Sequence, residues 1–341
     1  MRLLRPLLVL LLLAAAAPSS FGAPAGDPLR SQQWGLDQVR APEAWKLTRG
    51  RGAIVAVVDS GVDLSHPDLK GRLVPGVTFL NCLRPCGNGD WRSPSTSPFG
   101  HGTAVAGVVA AGAGNGGIVG VAPEAKVMPV RIGGEGMFDD GDIARGIRWA
   151  VTHGADVINL SLNAADDGTV RAAVAYAIAH DVVVVAAAGN GSFPLCAHPG
   201  DIVGALCVTA TGPDGLPSGY SSAGLAPGLG TIAAPGGAAP PRGVPLVLST
   251  CGDFVMSTWP KRHPGGSCTP GPGWRGTYGT SLAAPHVAGV AALLRSQGRS
   301  AAETVEILLA TAKHPGGVMG GFTPYYGHGV VDAAAAVRAP R

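Results

Sequence analysis

Apolar runs rich in valine and isoleucine recur along the chain and alternate with stretches of helical period, which constrains the fold more than any other feature. Residues 53–58 form such a run without a charge, the pattern of a strand buried on both faces. Further runs span 127–132, 156–162, 182–188 and 206–211. Between them Ile143, Ile147 and Ala150 fall at i, i+4 and i+7, and Val170, Val174 and Ala177 repeat that spacing. Ser300-Ala301-Ala302-Glu303 is a capping box ahead of Val305, Leu308 and Leu309. The alternation predicts a three-layer α/β/α fold around a mostly parallel sheet. With no linker or internal repeat in sight, residues 26–341 read as one domain.

Composition excludes several classes. Charged residues are 14% and hydrophobic residues 46% of the 341, the reverse of a disordered chain. The 53 glycines and 29 prolines lie between apolar runs and read as turns rather than as low complexity. Net charge is +3 with no block of like charges, so the sequence implies neither nucleic acid nor a membrane surface as partner. Residues 1–25 have the form of a secretory signal peptide: a basic start with Arg2 and Arg5, an apolar run over 7–17, then small residues. Ala23 and Ala25 fit the small-x-small cleavage rule, with cleavage after Gly22 as the alternative. No Cys near the cut offers a lipid anchor, and no later stretch reaches transmembrane length, so the mature chain is expected to be secreted or periplasmic.

Six cysteines in an exported chain point to disulfides. Of the 15 possible pairings, the sequence-local set joins Cys82 to Cys86, Cys196 to Cys207 and Cys251 to Cys268. A zinc site is disfavoured, because the Cys82/Cys86 pair has no second Cys or His pair at ligand spacing.

Candidate chemistry sits at element ends, where open parallel sheets place ligands. Asp59 follows the first strand, His101 begins a helical Ala/Val run, and Ser281 opens a helix reaching Leu294. Singly these are a turn aspartate, one of nine histidines and an N-terminal helix serine. Together, in the order Asp, His, Ser, they fit a Ser-His-Asp triad.

The chain resembles the subtilisin-like serine proteases over most of its length. The resemblance rests on Gln33-Trp34-Gly35-Leu36-Asp37, Asp59-Ser60-Gly61-Val62-Asp63, His66-Pro67-Asp68-Leu69 and His101-Gly102-Thr103. It continues through Gly120-Val121-Ala122-Pro123, Asp156-Val157-Ile158-Asn159, Ala188-Gly189-Asn190 and Gly279-Thr280-Ser281 with Ala284-Pro285-His286. It implies a serine endopeptidase acting on polypeptides through an acyl-enzyme, with Ser281 as nucleophile, His101 as base and Asp59 as its orienting partner. It implies Asn190 as oxyanion donor, and a monomer that needs no cofactor for its chemistry. Substrate would lie as an extended strand between Gly134-Glu135-Gly136-Met137 and Ser161-Leu162-Asn163, with Ala187-Ala188-Gly189 as a pocket wall. The family usually has glycine where Asn163 stands, and Phe193 is placed to narrow the pocket. No run of acids lines these segments, so cleavage after apolar residues is expected rather than after paired basic ones.

The resemblance also implies a structural calcium at Asp68, although glycines replace the usual side-chain ligands around Asn115. The family's propeptide has no counterpart between Ala25 and the first matching residues. Gly112 to Gly117 matches a dinucleotide pattern but follows a helical stretch, so that reading is rejected. The sequons at Asn159 and Asn190 fall in strand or site positions and are expected to stay unglycosylated. The rival classes are an inactive binding module on the same fold, an acid protease with glutamate in place of His101, and an α/β-hydrolase, whose G-x-S-x-G is absent around Ser281.

Overall fold

A computed structural model describes residues 26–82, 84–92, 100–134, 137–165, 168–225, 230–240, 249–261, 268–315 and 321–340. The expected leader over 1–25 and the expected substrate contacts Glu135 and Gly136 lie outside the described residues.

A seven-stranded sheet runs in the order β2-β3-β1-β6-β7-β8-β9, with every neighbouring pair parallel. Its strands are β1 (Ile54–Asp59), β2 (Val77–Thr78), β3 (Lys126–Arg131), β6 (Val157–Leu160), β7 (Val183–Ala187), β8 (Leu206–Thr211) and β9 (Gly230–Pro235). Two antiparallel hairpins lie outside it: β4 (Gly133–Gly134) with β5 (Met137–Phe138), and β10 (Val255–Thr258) with β11 (Trp274–Thr277). The helices are α1 (Trp34–Gln38), α2 (Ala41–Ala44), α3 (His101–Ala110), α4 (Asp140–Thr152), α5 (Thr169–Ala179), α6 (Thr280–Arg295), α7 (Ala301–Thr311) and α8 (Ala333–Arg338).

The three layers follow from the two-residue period of the strands. Val55 and Val57 face a core shared with Val105 and Val109 of α3 and Val287 and Ala291 of α6. Ala56 and Val58 face the other way, onto Ile143 and Ile147 of α4 and Val170 and Val174 of α5. Both faces of the sheet are therefore dry, which explains the near-absence of charge in the central runs. Small residues on α6 let it lie close: a Cβ on Gly289 would overlap Val121. At the start of α7 the expected capping box forms, with Ser300 Oγ accepting from the Glu303 amide and the Ser300 amide donating to Glu303.

Three disulfides join Cys82 to Cys86, Cys196 to Cys207 and Cys251 to Cys268, the sequence-local set. Among the described residues no helix is long and apolar enough to cross a membrane.

Candidate active site

β1 ends at Asp59, whose side chain is fully buried. A buried carboxylate must be paired, and its oxygens accept from the Ser60 amide at 2.6 Å and from His101 Nδ1 at 2.9 and 3.0 Å. His101 is the first residue of α3, after Gly100. Ser60 Oγ accepts from the Gly102 amide at 3.1 Å and so ties the start of that helix to the end of β1. Burial would lower the pKa of His101. The charge of Asp59 and its hydrogen bond outweigh burial and hold the imidazole above its ordinary value of 6.5. With Nδ1–H donated to Asp59, Nε2 is left as the basic nitrogen.

Ser281 is the second residue of α6, not its cap, which is Gly279 with φ 143°. That φ lies in a region L side chains rarely adopt, so glycine is required where the chain turns into the helix. Ser281 Oγ donates to the Ser161 carbonyl at 3.2 Å, while Ser161 Oγ donates to the Ser281 carbonyl at 2.8 Å. This reciprocal pair fastens the helix start to the end of β6. The next residue, Leu282, is buried in one cluster with Ala104 and Val108, so the helices bearing Ser281 and His101 share packing.

Asn190 follows β7, and its Oδ1 accepts from both the amide and the hydroxyl of Thr280, each at 2.9 Å. An amide N–H can only donate, so the atom facing it must be the oxygen, which fixes the orientation of the Asn190 amide. Its Nδ2 is then turned away from Thr280 and stands as a free donor on an exposed side chain. Sequence reasoning had not singled out Ser60, Thr280 or the pairing role of Ser161. Ser60 and Thr280 stand in the motif stretches that hold Asp59 and Ser281, and that placement is their signal in the sequence.

Gly134 is half-buried in β4, Ser161 and Leu162 are buried, and Asn163 is exposed with its Oδ1 turned toward Gly189. Ala188 is buried against the Cys196–Cys207 disulfide, and Gly189 has φ 97°. Phe193 is 65% exposed and folds back over Gly191, where a Cβ would overlap its ring. Asn159 is fully buried in β6 and unsuited to glycosylation.

The expected calcium ligand does not have a calcium environment. Asp68 is fully buried, and its Oδ2 accepts from the Ile118 amide at 2.9 Å and from Trp274 Nε1 at 2.7 Å. Its own carbonyl accepts from the Gly112 amide, and Asn115 turns Nδ2, not its oxygen, toward the Asp68 and Lys70 carbonyls. Calcium takes about six to eight oxygen ligands, whereas N–H donors occupy Asp68 Oδ2, and the nearby buried Asp27 carboxylate is likewise taken by the Gly114 and Gly116 amides. Its Oδ1 is left without a partner, and desolvation raises its pKa against the lowering effect of Trp274 and Ile118. The residues present do not fit the ion. A Cβ on Gly117 would overlap both the indole nitrogen and the carboxylate, so glycine there admits Trp274 to Asp68.

Comparison with known proteins agrees with this architecture. Residues 50–329 match the model of the subtilase family, Peptidase S8. The chain is 35% identical over 318 residues to thermitase from Thermoactinomyces vulgaris, covering 92% of this chain and 98% of that one. It is 35% identical over 317 residues to subtilisin Savinase from Lederbergia lenta, covering 91% and 100%. A solved protease structure from Pseudoalteromonas arctica superposes with a TM-score of 0.76 at 34% identity, over 93% of this chain and 99% of that one. The chain therefore belongs to the subtilase family of serine proteases.

Proposed function

We propose that the chain is an exported endopeptidase that cleaves polypeptides through an acyl-enzyme on Ser281. The observation that carries this reading is the buried Asp59 carboxylate, with both oxygens within 3.0 Å of His101 Nδ1. A serine hydroxyl is a weak nucleophile at neutral pH and needs a base. His101 Nε2 takes the Ser281 proton as Oγ attacks the scissile carbonyl, then returns it to the leaving amine. Asp59 holds the tautomer that exposes Nε2 and stabilises the imidazolium formed in between. Negative charge develops on the carbonyl oxygen, where Asn190 Nδ2 and the amides opening α6 supply donors that need no reorganisation. Water then attacks the acyl-enzyme with His101 again as base, which releases the acid product and restores Ser281.

Substrate adds as a strand along Gly134 and the segment Ser161-Leu162-Asn163, which reads backbone rather than side chains. The small, apolar wall at Ala187 and Ala188 suits cleavage after apolar residues. Export rests on the form of residues 1–25 and on three disulfides, which persist in oxidising compartments. Labelling of the mature protein with a fluorophosphonate, followed by peptide mapping, tests the reading. The label should sit on Ser281 and vanish in His101→Ala; a folded protein that takes no label would instead be a binding module on this fold.

A further inference from the structure

Asp59, His101 and Ser281 occupy the end of the sheet where the strands finish. At the other end, where β1 and β3 begin, lies a cleft of about 420 Å³. Arg49, Arg51, Lys70, Arg72 and Lys126 line it, and Glu124 is the one carboxylate among the described residues that do. The cleft thus holds four uncompensated positive charges, more than the net +3 of the whole chain. A concentration of this kind in a concave site focuses the field on an anionic ligand.

The cations are held in place without being neutralised. Lys126 Nζ donates to the Gly71 carbonyl at 2.6 Å and Arg72 Nη1 to the Pro123 carbonyl at 3.1 Å. A carbonyl orients such a group but carries no net charge. Glu124 is shared, 2.9 Å from Arg51 and 3.9 Å from Arg49. Lys70 is exposed, and Arg49, whose guanidinium lies over the Trp45 ring, faces Glu124 through a buried Nε that makes no hydrogen bond. Arginine forks match the oxygens of phosphate bidentately, and the guanidinium is less strongly hydrated than an ammonium.

We propose that this cleft binds a small ligand bearing two or three clustered phosphate groups. A phosphate group carries about −1.5 to −2 charges at neutral pH, so two or three balance the cleft within its volume. Sulfate esters, with one charge each, would need four groups in the same space. Because the cleft is at the far end of the sheet from Ser281, ligand and peptide substrate can be held together.

Inorganic triphosphate is the probe, titrated calorimetrically into the mature protein at low salt. Two double variants of equal charge change are compared, and all their positions are exposed: Arg51→Glu with Lys70→Glu in the cleft, and Arg148→Glu with Arg171→Glu on α4 and α5. One equivalent should bind to wild type, more weakly as salt rises. The cleft variant should lose about tenfold or more in affinity, since each loses charge-assisted contacts, while the helix variant changes by less than about twofold. Equal concentrations of sulfate should not compete. No binding to wild type, unchanged affinity in the cleft variant, or equal losses in both variants would overturn the proposal. Turnover of an uncharged peptide should be the same with and without triphosphate.

Discussion

Asp59 and Asp68 stand nine residues apart in the chain, and both side chains are fully buried. One faces a titratable imidazole, the other an indole N–H and a backbone amide. Asp59 can therefore change the proton affinity of the group it hydrogen-bonds, while the two donors on the Asp68 carboxylate do not titrate. The charge of Asp68 reaches the nearby His66 imidazole, whose pKa burial lowers all the same. Burial alone does not mark a functional carboxylate; the chemistry of the group opposite does. The same contrast separates two histidines. Burial lowers the pKa of both His101 and His286, yet only His101 has a carboxylate to reverse it, and His286 falls to about 4 with Nδ1–H on the Leu282 carbonyl.

The largest effect that sharpens this comparison is expected from Asp59→Asn. The amide favours the wrong imidazole tautomer, so kcat should fall about 10⁴-fold, with the denaturation midpoint little changed. A loss of stability without that loss of kcat would make Asp59 a second Asp68. Asn190→Ala should come next. Removing the corresponding amide in subtilisins costs about 10²–10³ in kcat, and KM should change little because the donor acts on the transition state. A raised KM with kcat intact would assign Asn190 to ground-state binding.

His286 gives a pH-dependent effect. Its folded pKa lies below the unfolded value, so as pH falls from about 6.5 to about 4 the unfolded chain takes up a proton that the folded one refuses. Stability is lost across that window, by about 3 kcal/mol in total at 1.36 kcal/mol per unit. Urea unfolding of wild type and His286→Gln over this range should show the difference between them shifting by that order; a constant difference would break the contrast with His101.

The smallest effects belong to Asp68. Trp274→Phe removes one of the two donors to a buried carboxylate and should cost about 1–3 kcal/mol, with kcat within about twofold of wild type. Because N–H donors face Asp68, neither added calcium nor a chelator should move the Tm of the wild type. A chelator-induced fall in Tm would show that the loop rearranges around an ion.

The candidate site residues and the layers were legible for a common reason: each reports locally. Asp59, His101 and Ser281 sit at element ends marked by short motifs, and the dry faces of β1, β3, β6, β7 and β8 impose apolar runs on consecutive residues. β9 carries only Ile232 among small residues and left no such mark. The contact between Asp68 and Trp274 joins residues 206 apart, and an indole donating to a distant carboxylate leaves no spacing to read. The cationic cleft is assembled from positions between 49 and 126, with no run of like charge in the sequence. The orientation of the Asn190 amide likewise depends on Thr280, ninety residues away.

The central claim is that His101, held by Asp59, is the base for Ser281. The most direct measurement is kcat/KM against pH for an uncharged peptide substrate, in wild type and Asp59→Asn. Only neutral His101 can act, so log kcat/KM should climb with a slope of about one to a single pKa above 6.5 and then level off. In Asp59→Asn the residual activity should show its limb at lower pH, because the raising influence is gone while burial remains. A wild-type profile that is flat through neutrality, or a limb that stays in place without the carboxylate, would contradict the account.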